Sequence, residues 1–220
     1  MTRPGRGPIV LASRSPRRRR ILADLGFEVS VCPVDVDEES VVADRRTDPG
    51  VAALAIARVK AAAAVGRGVV MTLVAADTVV EGPDGLVGAP QSRSDAVGIV
   101  SGLSRASLRV ATGVVVVTAD GSAVGAVRLS TVTLGPIDRT AAAAYVATGA
   151  ADDTAAGLEL QGRGSGFVAA VEGCWTNVVG LPVCVVLALT GSQPTDSQCR
   201  DRDGAPCRAV GGVDASPVEL

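Results

Sequence analysis

Histidine is absent from all 220 residues. That removes Ser-His-Asp and Cys-His catalysis and any histidine-ligated zinc together. Aromatic residues make up only 2% of the chain, so base stacking on aromatic platforms is excluded and the core must be built from Val, Ala, Leu and Ile. Lysine is nearly missing as well: of 21 basic residues, Lys60 alone is not arginine, a skew of genome composition rather than of mechanism. Long apolar runs are missing too. The only one near the N-terminus is Ile9–Ala12, too short for a signal peptide, and Val178–Leu189 is too short for a bilayer and contains Pro182. A cytoplasmic protein without a membrane partner is expected. The net charge of −2 excludes a nucleic-acid partner bound by neutralising a phosphate backbone. The five cysteines form no C-x-x-C pair and read as reduced thiols.

What remains is 47% hydrophobic, enough for one substantial core. Strand-like and helix-like segments alternate. Strands are expected at Ile9–Ala12, Glu28–Cys32, Val69–Ala76 and Phe167–Val171, with a hairpin of Leu108–Thr118 and Ala123–Leu134 around "ADGS". Helices are expected at Pro16–Leu25, from Asp48-Pro49 to Gly66, at Asp95–Leu103, from Asp138 to Thr148, and across "NVVGLPVCVVLALTG". "PVDVDEES" reads as an acidic loop. The organisation is a flexible lead at 1–8, one domain at 9–190 and a disordered tail at 191–220. The fold class is α/β with a mixed β-sheet flanked by helices.

One stretch contradicts its local physics. "SPRRRR" opens a helix with Ser15 as cap and Pro16 at the first position, then places Arg17–Arg20 on the positive pole of the helix. Either these arginines are a solvated face or the site takes a highly charged anion such as a phosphate chain. Helical spacing sends Arg17 and Arg18 one way and leaves Arg19 or Arg20 in solvent. "ADT" (Ala76–Thr78) is expected at the carboxyl end of a buried strand, where open α/β sheets bind ligands. An anion cradle beside Asp77 suggests metal-assisted phosphate chemistry with water as nucleophile.

"LASRSPRR", "VDVDE", "LAIARVKA", "AADTVV", "VATG" and "NVVGLP" follow one another in an order that resembles the Maf family of nucleotide pyrophosphatases, from about Ile9 to Leu189. The resemblance implies a two-lobed fold around a deep cleft, similar to inosine triphosphatases. It also implies frequent homodimers and hydrolysis of nucleoside triphosphates to monophosphate and pyrophosphate with a divalent cation. It places the proton acceptor on Asp77, phosphate contacts on Ser13, Arg17 and Arg18, and an acidic partner for metal or water on Glu38. Lys60 and Asn177 fall in matching motifs and join the substrate-binding set. Arg17, Thr78 and Gln161 match the branch that acts on dTTP and UTP. Asp77 and Glu38 are the oxygen donors for Mg²⁺ or Mn²⁺.

Three places depart from the family pattern. Ala89 stands where "GKP" has its lysine, Thr154 stands at a second lysine position, and "SRASL" replaces a Ser-Gly-Arg-Thr-His segment. No residue adjacent in sequence supplies the lost charge, although Arg93, Arg105 or Arg163 offers an arginine elsewhere. Two function classes therefore stand: a nucleotide pyrophosphatase of reduced activity, or a homologue that binds nucleotide without turnover.

Overall fold

The computed structural model describes residues 6–152, 154–192, 199 and 213–220. Its sheet is mixed. Strand β1 (Pro8–Leu11) pairs in parallel with β2 (Glu28–Val31) and β3 (Leu73–Gly82). From β3 onward the pairing is antiparallel, through β5 (Ser107–Val117), β6 (Ala123–Leu134) and β7 (Val168–Gly173), in the order β2-β1-β3-β5-β6-β7. The short β4 (Gly85–Leu86) folds back on β3. This is the expected α/β class with a mixed sheet.

The first turns of the helices follow from their caps. In α1 (Pro16–Asp24) the Ser15 hydroxyl accepts from Arg18 N, and Pro16 takes the position whose N–H would be unpaired anyway. Asp48 caps α3 (Pro49–Gly66) by accepting from Gly50 N and Val51 N. Ser92 and Asp138 do the same for α4 (Arg93–Gly102) and α5 (Arg139–Ala147). The acidic segment is not wholly a loop. Asp37 accepts from Ser40 N and starts the one-turn helix α2 (Glu38–Val41).

Alternation along β3 divides the core. Leu73 and Ala75 join the cluster under α3 with Ala57, Ala61 and Ala64. Val74 and Ala76 face the other way, with Leu22 of α1 and the apolar residues of α7 (Val183–Leu189). A third cluster forms at the far ends of β3, β5 and β6, where Val80, Leu108 and Val132 meet α4 and α5. Alanines on α3 let its backbone lie close to the sheet. A side chain on Gly113 would meet the backbone of Ala53 and Leu54 at about 2.5 Å, so only glycine admits the helix there. By length and composition α3 is apolar enough to cross a membrane, but its buried face covers β3 and β5 as a core helix does.

Four expectations are corrected. β3 begins at Leu73, not Val69: Arg67 and Gly68 close α3, Val70 is 77% exposed in the connection, and the strand runs on to Gly82. Asp77 therefore sits inside a strand rather than at its end. The C-terminal segment is two helices, α6 (Trp175–Val179) and α7, because Gly180 at φ 115° and Pro182 break the run. Past Gly191, residues 213–220 are structured: β8 (Ser216–Pro217) pairs with β6, and Glu219 O accepts from the Arg58 guanidinium. Most of the expected disordered tail and most of the expected flexible lead lie outside the described residues, and Pro8 already belongs to β1.

Candidate active site

A cleft of about 880 Å³ opens between the α1, α2 and α3 side of the sheet and the far cluster. β3 supplies its floor. Adjacent residues Asp77 and Thr78 point to opposite faces and organise two separate groups of polar side chains.

On the α3 face, Asp77 pairs across the strands with Gly113. The bare Gly113 lets α3 approach, and Lys60 of α3 reaches both carboxylates. Lys60 Nζ donates to Asp77 Oδ1 and to Glu38 Oε1, each at 2.6 Å. Asp77 is 6% exposed and Lys60 9%, while the Glu38 side chain is half exposed. Burial pushes the Asp77 carboxyl above the usual range, with Lys60 and Arg18 pulling against it. Asp77 Oδ2 carries no hydrogen bond among the described residues, and Asp77 lines the cleft.

On the opposite face, Thr78 pairs with Thr112, and their hydroxyls are 3.0 Å apart. Arg18 holds this side. Its Nε donates to Gly180 O at 2.8 Å, Nη1 to Ser13 Oγ at 3.2 Å and Nη2 to Thr78 Oγ1 at 3.0 Å. Burial lowers its pKa and the nearby carboxylates oppose that shift, but a guanidinium remains a cation throughout the working range. Gly180 presents its carbonyl from a left-handed conformation that glycine adopts without strain.

The expected site residues divide into those on the cleft wall and those beneath it. Arg17, Arg18, Glu38, Asp77, Thr78 and Gln161 line the cleft. Arg19 and Arg20 point to solvent, as helical spacing required. Ser13 and Lys60 are buried under the wall, each hydrogen-bonded to a lining residue. Asn177 is the correction: it is fully buried and does not line the cleft. Its amide donates to Val110 O and Ser130 Oγ, each at 2.9 Å, and its backbone carbonyl accepts from Thr112 Oγ1. It joins β5, β6 and α6 and braces the wall instead of touching a ligand. Arg18 lines the cleft with three of its five N–H donors taken by Ser13, Thr78 and Gly180. Arg17 lines the cleft with no hydrogen-bond or ion-pair partner among the described residues, so its whole guanidinium can meet an anion.

Ala89 and Thr154 both line the cleft, and the Thr154 hydroxyl donates to Ala151 O. Arg93, Arg105 and Arg163 do not line it. A different arginine does. Arg45 lies in the loop after α2, tied to the β3–β4 hairpin by Leu86 N donating to Arg45 O at 2.8 Å. Its Nη2 is 3.5 Å from where a side chain on Gly88 would begin, one residue from Ala89. Neither motif nor spacing marked Arg45. Its position depends on a fold-back between segments some forty residues apart.

The rest of the wall combines Ile56, Leu86, Leu108, Leu158, Leu160 and Val178 with the polar side chains of Ser15, Glu39 and Glu159. A partly apolar cleft with converging cations and a buried carboxylate is the usual form of a small-molecule site.

Comparison with known proteins identifies the family. The chain is 40% identical over 184 residues to a dTTP/UTP pyrophosphatase of Nitratidesulfovibrio vulgaris, covering 83% of this chain and 86% of that protein. A dTTP/UTP pyrophosphatase of Geobacter sulfurreducens is 39% identical, covering 83% and 94%. One of Moorella thermoacetica is 41% identical, covering 81% and 91%. A solved dITP/XTP pyrophosphatase of Mycobacterium abscessus overlaps only loosely, at 18% identity and a TM-score of 0.37, covering 59% of this chain and 75% of that one. The family model described as Maf-like protein matches residues 8–192, and the chain belongs to that family.

Proposed function

We propose that the chain is a nucleoside triphosphate pyrophosphatase that hydrolyses (d)NTPs to monophosphate and pyrophosphate, with dTTP and UTP favoured. The observation that carries this reading is the Asp77–Lys60–Glu38 group, its aspartate and lysine buried, opening onto the same cleft as Arg17 at the N-terminus of α1. The triphosphate lies against Arg17, whose guanidinium and helix pole both favour an anion. Arg18 positions the wall through Ser13, Thr78 and Gly180, and adds a fixed buried charge at longer range.

Asp77 Oδ2 accepts a proton from the attacking water. The water oxygen bonds to the α-phosphorus, the bond from that phosphorus to the bridging oxygen breaks, and pyrophosphate leaves. Lys60 favours the ionised form of Asp77 against its burial and holds Oδ1, leaving Oδ2 for the water. The donor set fits a hard divalent cation. Asp77 and Glu38 would hold Mg²⁺ or Mn²⁺ through the carboxylate oxygens not taken by Lys60, and Asp77 Oδ2 keeps its second lone pair for the water proton. When bound, the cation supplies charge neutralisation at the phosphates.

The base lies on the aliphatic wall. The Gln161 amide offers one donor and one acceptor, matching the imide N–H and carbonyl of uracil or thymine. Arg45 supplies near Ala89 the positive charge that the sequence lacks there.

A pyrophosphate-release assay over a panel of nucleoside triphosphates, with Mg²⁺ and Mn²⁺ in turn, tests the proposal. Release that is fastest with dTTP or UTP is expected. Ala89 and Thr154 favour the second reading, a nucleotide-binding homologue. Tight binding of every nucleotide with no pyrophosphate released establishes that reading instead.

A further inference from the structure

Outside the cleft, three cysteines converge in the apolar core. Cys174 precedes α6, Cys184 is the second residue of α7, and Cys199 comes from beyond both. All three are fully buried, and their sulfurs lie within 4.8 Å of one another. The Cys174 and Cys199 sulfurs are 3.6 Å apart. Two thiolates on a tetrahedral zinc with Zn–S of about 2.3 Å are separated by about 3.8 Å. One edge of a zinc tetrahedron is therefore already formed.

A fourth vertex is also present. Thr176 Oγ1 is 3.1 Å from Cys174 Sγ and 3.9 Å from Cys199 Sγ. Val183 N donates to this hydroxyl at 3.0 Å, which fixes its direction and leaves a second lone pair for a metal. With no histidine in the chain, this hydroxyl is the donor beside the thiols among the described residues. Thiol–thiol hydrogen bonds, with burial adding to them, hold Cys174 and Cys199 above the ordinary thiol range, which suits neutral thiols in the core.

We propose that Cys174, Cys184, Cys199 and Thr176 Oγ1 form a structural zinc site. Binding makes three Zn–S bonds, releases the three thiol protons to solvent and transfers no electrons. The site clamps Cys199 onto the segments that carry α6 and α7. The turn between them carries Gly180, whose carbonyl takes the Arg18 Nε–H, so the clamp stiffens one wall of the cleft.

The full chain, reduced and stripped of metal, is titrated with Co²⁺ and then Zn²⁺. Thiolate-to-cobalt charge-transfer absorption and intense tetrahedral visible bands, saturating at about one equivalent and erased by Zn²⁺, are expected. Cys199→Ser and Cys184→Ser lose these bands, while Cys32→Ser keeps them. Oxygen-ligated Co²⁺ at Asp77 and Glu38 gives no thiolate band, so the two metal sites are read separately. Zn²⁺ raises the unfolding temperature of the wild-type chain and leaves that of Cys199→Ser unchanged. The proposal is overturned if the charge-transfer band is absent, or if it survives Cys199→Ser. A Cys174–Cys199 disulfide in protein handled under mild oxidant with Zn²⁺ in excess overturns it as well. Cys199 lies outside α6 and α7, so its variant tests the site even where Cys184→Ser fails to fold.

Discussion

If Arg45 replaces the charge missing at Ala89, the two positions should behave as alternatives rather than as independent contributors. The test is a double-mutant cycle of Arg45→Ala and Ala89→Lys. Arg45 is exposed, so its loss falls at the low end of the range for removing one preorganised donor, about 10² in kcat/KM. Ala89→Lys alone gains little, because its ammonium and the Arg45 guanidinium crowd one another. At about 5 Å in water their repulsion is about 0.8 kcal/mol, a factor of about four against the new charge. In the Arg45→Ala background that repulsion is gone, and Ala89→Lys restores at least about tenfold. The cycle then deviates from additivity by that repulsion, about 0.8 kcal/mol or a factor of about four. Initial rates of pyrophosphate release from dTTP or UTP, at fixed ionic strength to hold screening constant, give the four values. Effects that simply multiply, or an Arg45→Ala enzyme as fast as wild type, refute the substitution of one cation for the other.

Asp77→Asn should abolish turnover with the fold retained, as read by pyrophosphate release beside circular dichroism. Because burial raises the Asp77 pKa and the ionised form is the proton acceptor, kcat/KM should rise with pH through a value above the ordinary carboxylate range. Lys60→Met removes the cation favouring ionisation and should move that limb further up; a limb that stays in place separates Lys60 from Asp77. Arg17→Ala should weaken triphosphate binding by calorimetry far more than Arg20→Ala, since Arg17 faces the cleft and Arg20 faces solvent. Gly113→Ala forces a methyl against the backbone of Ala53 and Leu54 and should cost about 1–3 kcal/mol in urea unfolding, with lower activity from a displaced Lys60.

The elements most legible in the sequence are those with local causes. Ser15-Pro16, Asp48-Pro49 and Asp138 start helices by capping chemistry within three residues, and β5 and β6 show their hairpin in one continuous stretch. The site residues on the cleft wall were legible through their motifs. What was not legible depends on pairing at a distance. The extension of β3 past Asp77 requires its partner β5, whose register no local pattern states. The buried place of Asn177 requires three elements to converge on it. Arg45 and the cysteine group come from segments brought together only by the finished fold. The Arg18 side chain was read correctly as facing inward, but the three acceptors awaiting it come from Ser13, Thr78 and Gly180, the last 162 residues away.

The opposite facing of Asp77 and Thr78 has a consequence for how this protein becomes active. A one-residue slip of β3 against β5 would exchange the two faces, turning the carboxylate toward Arg18 and the hydroxyl toward Lys60. Such a chain would keep its strands, its helices and much of its buried area, yet neither half of the site would exist. Hydrolysis is thus a reporter of strand alignment that spectroscopic measures of secondary structure miss. A refolded chain with β3 so displaced would show full helix and sheet signal and no pyrophosphate release.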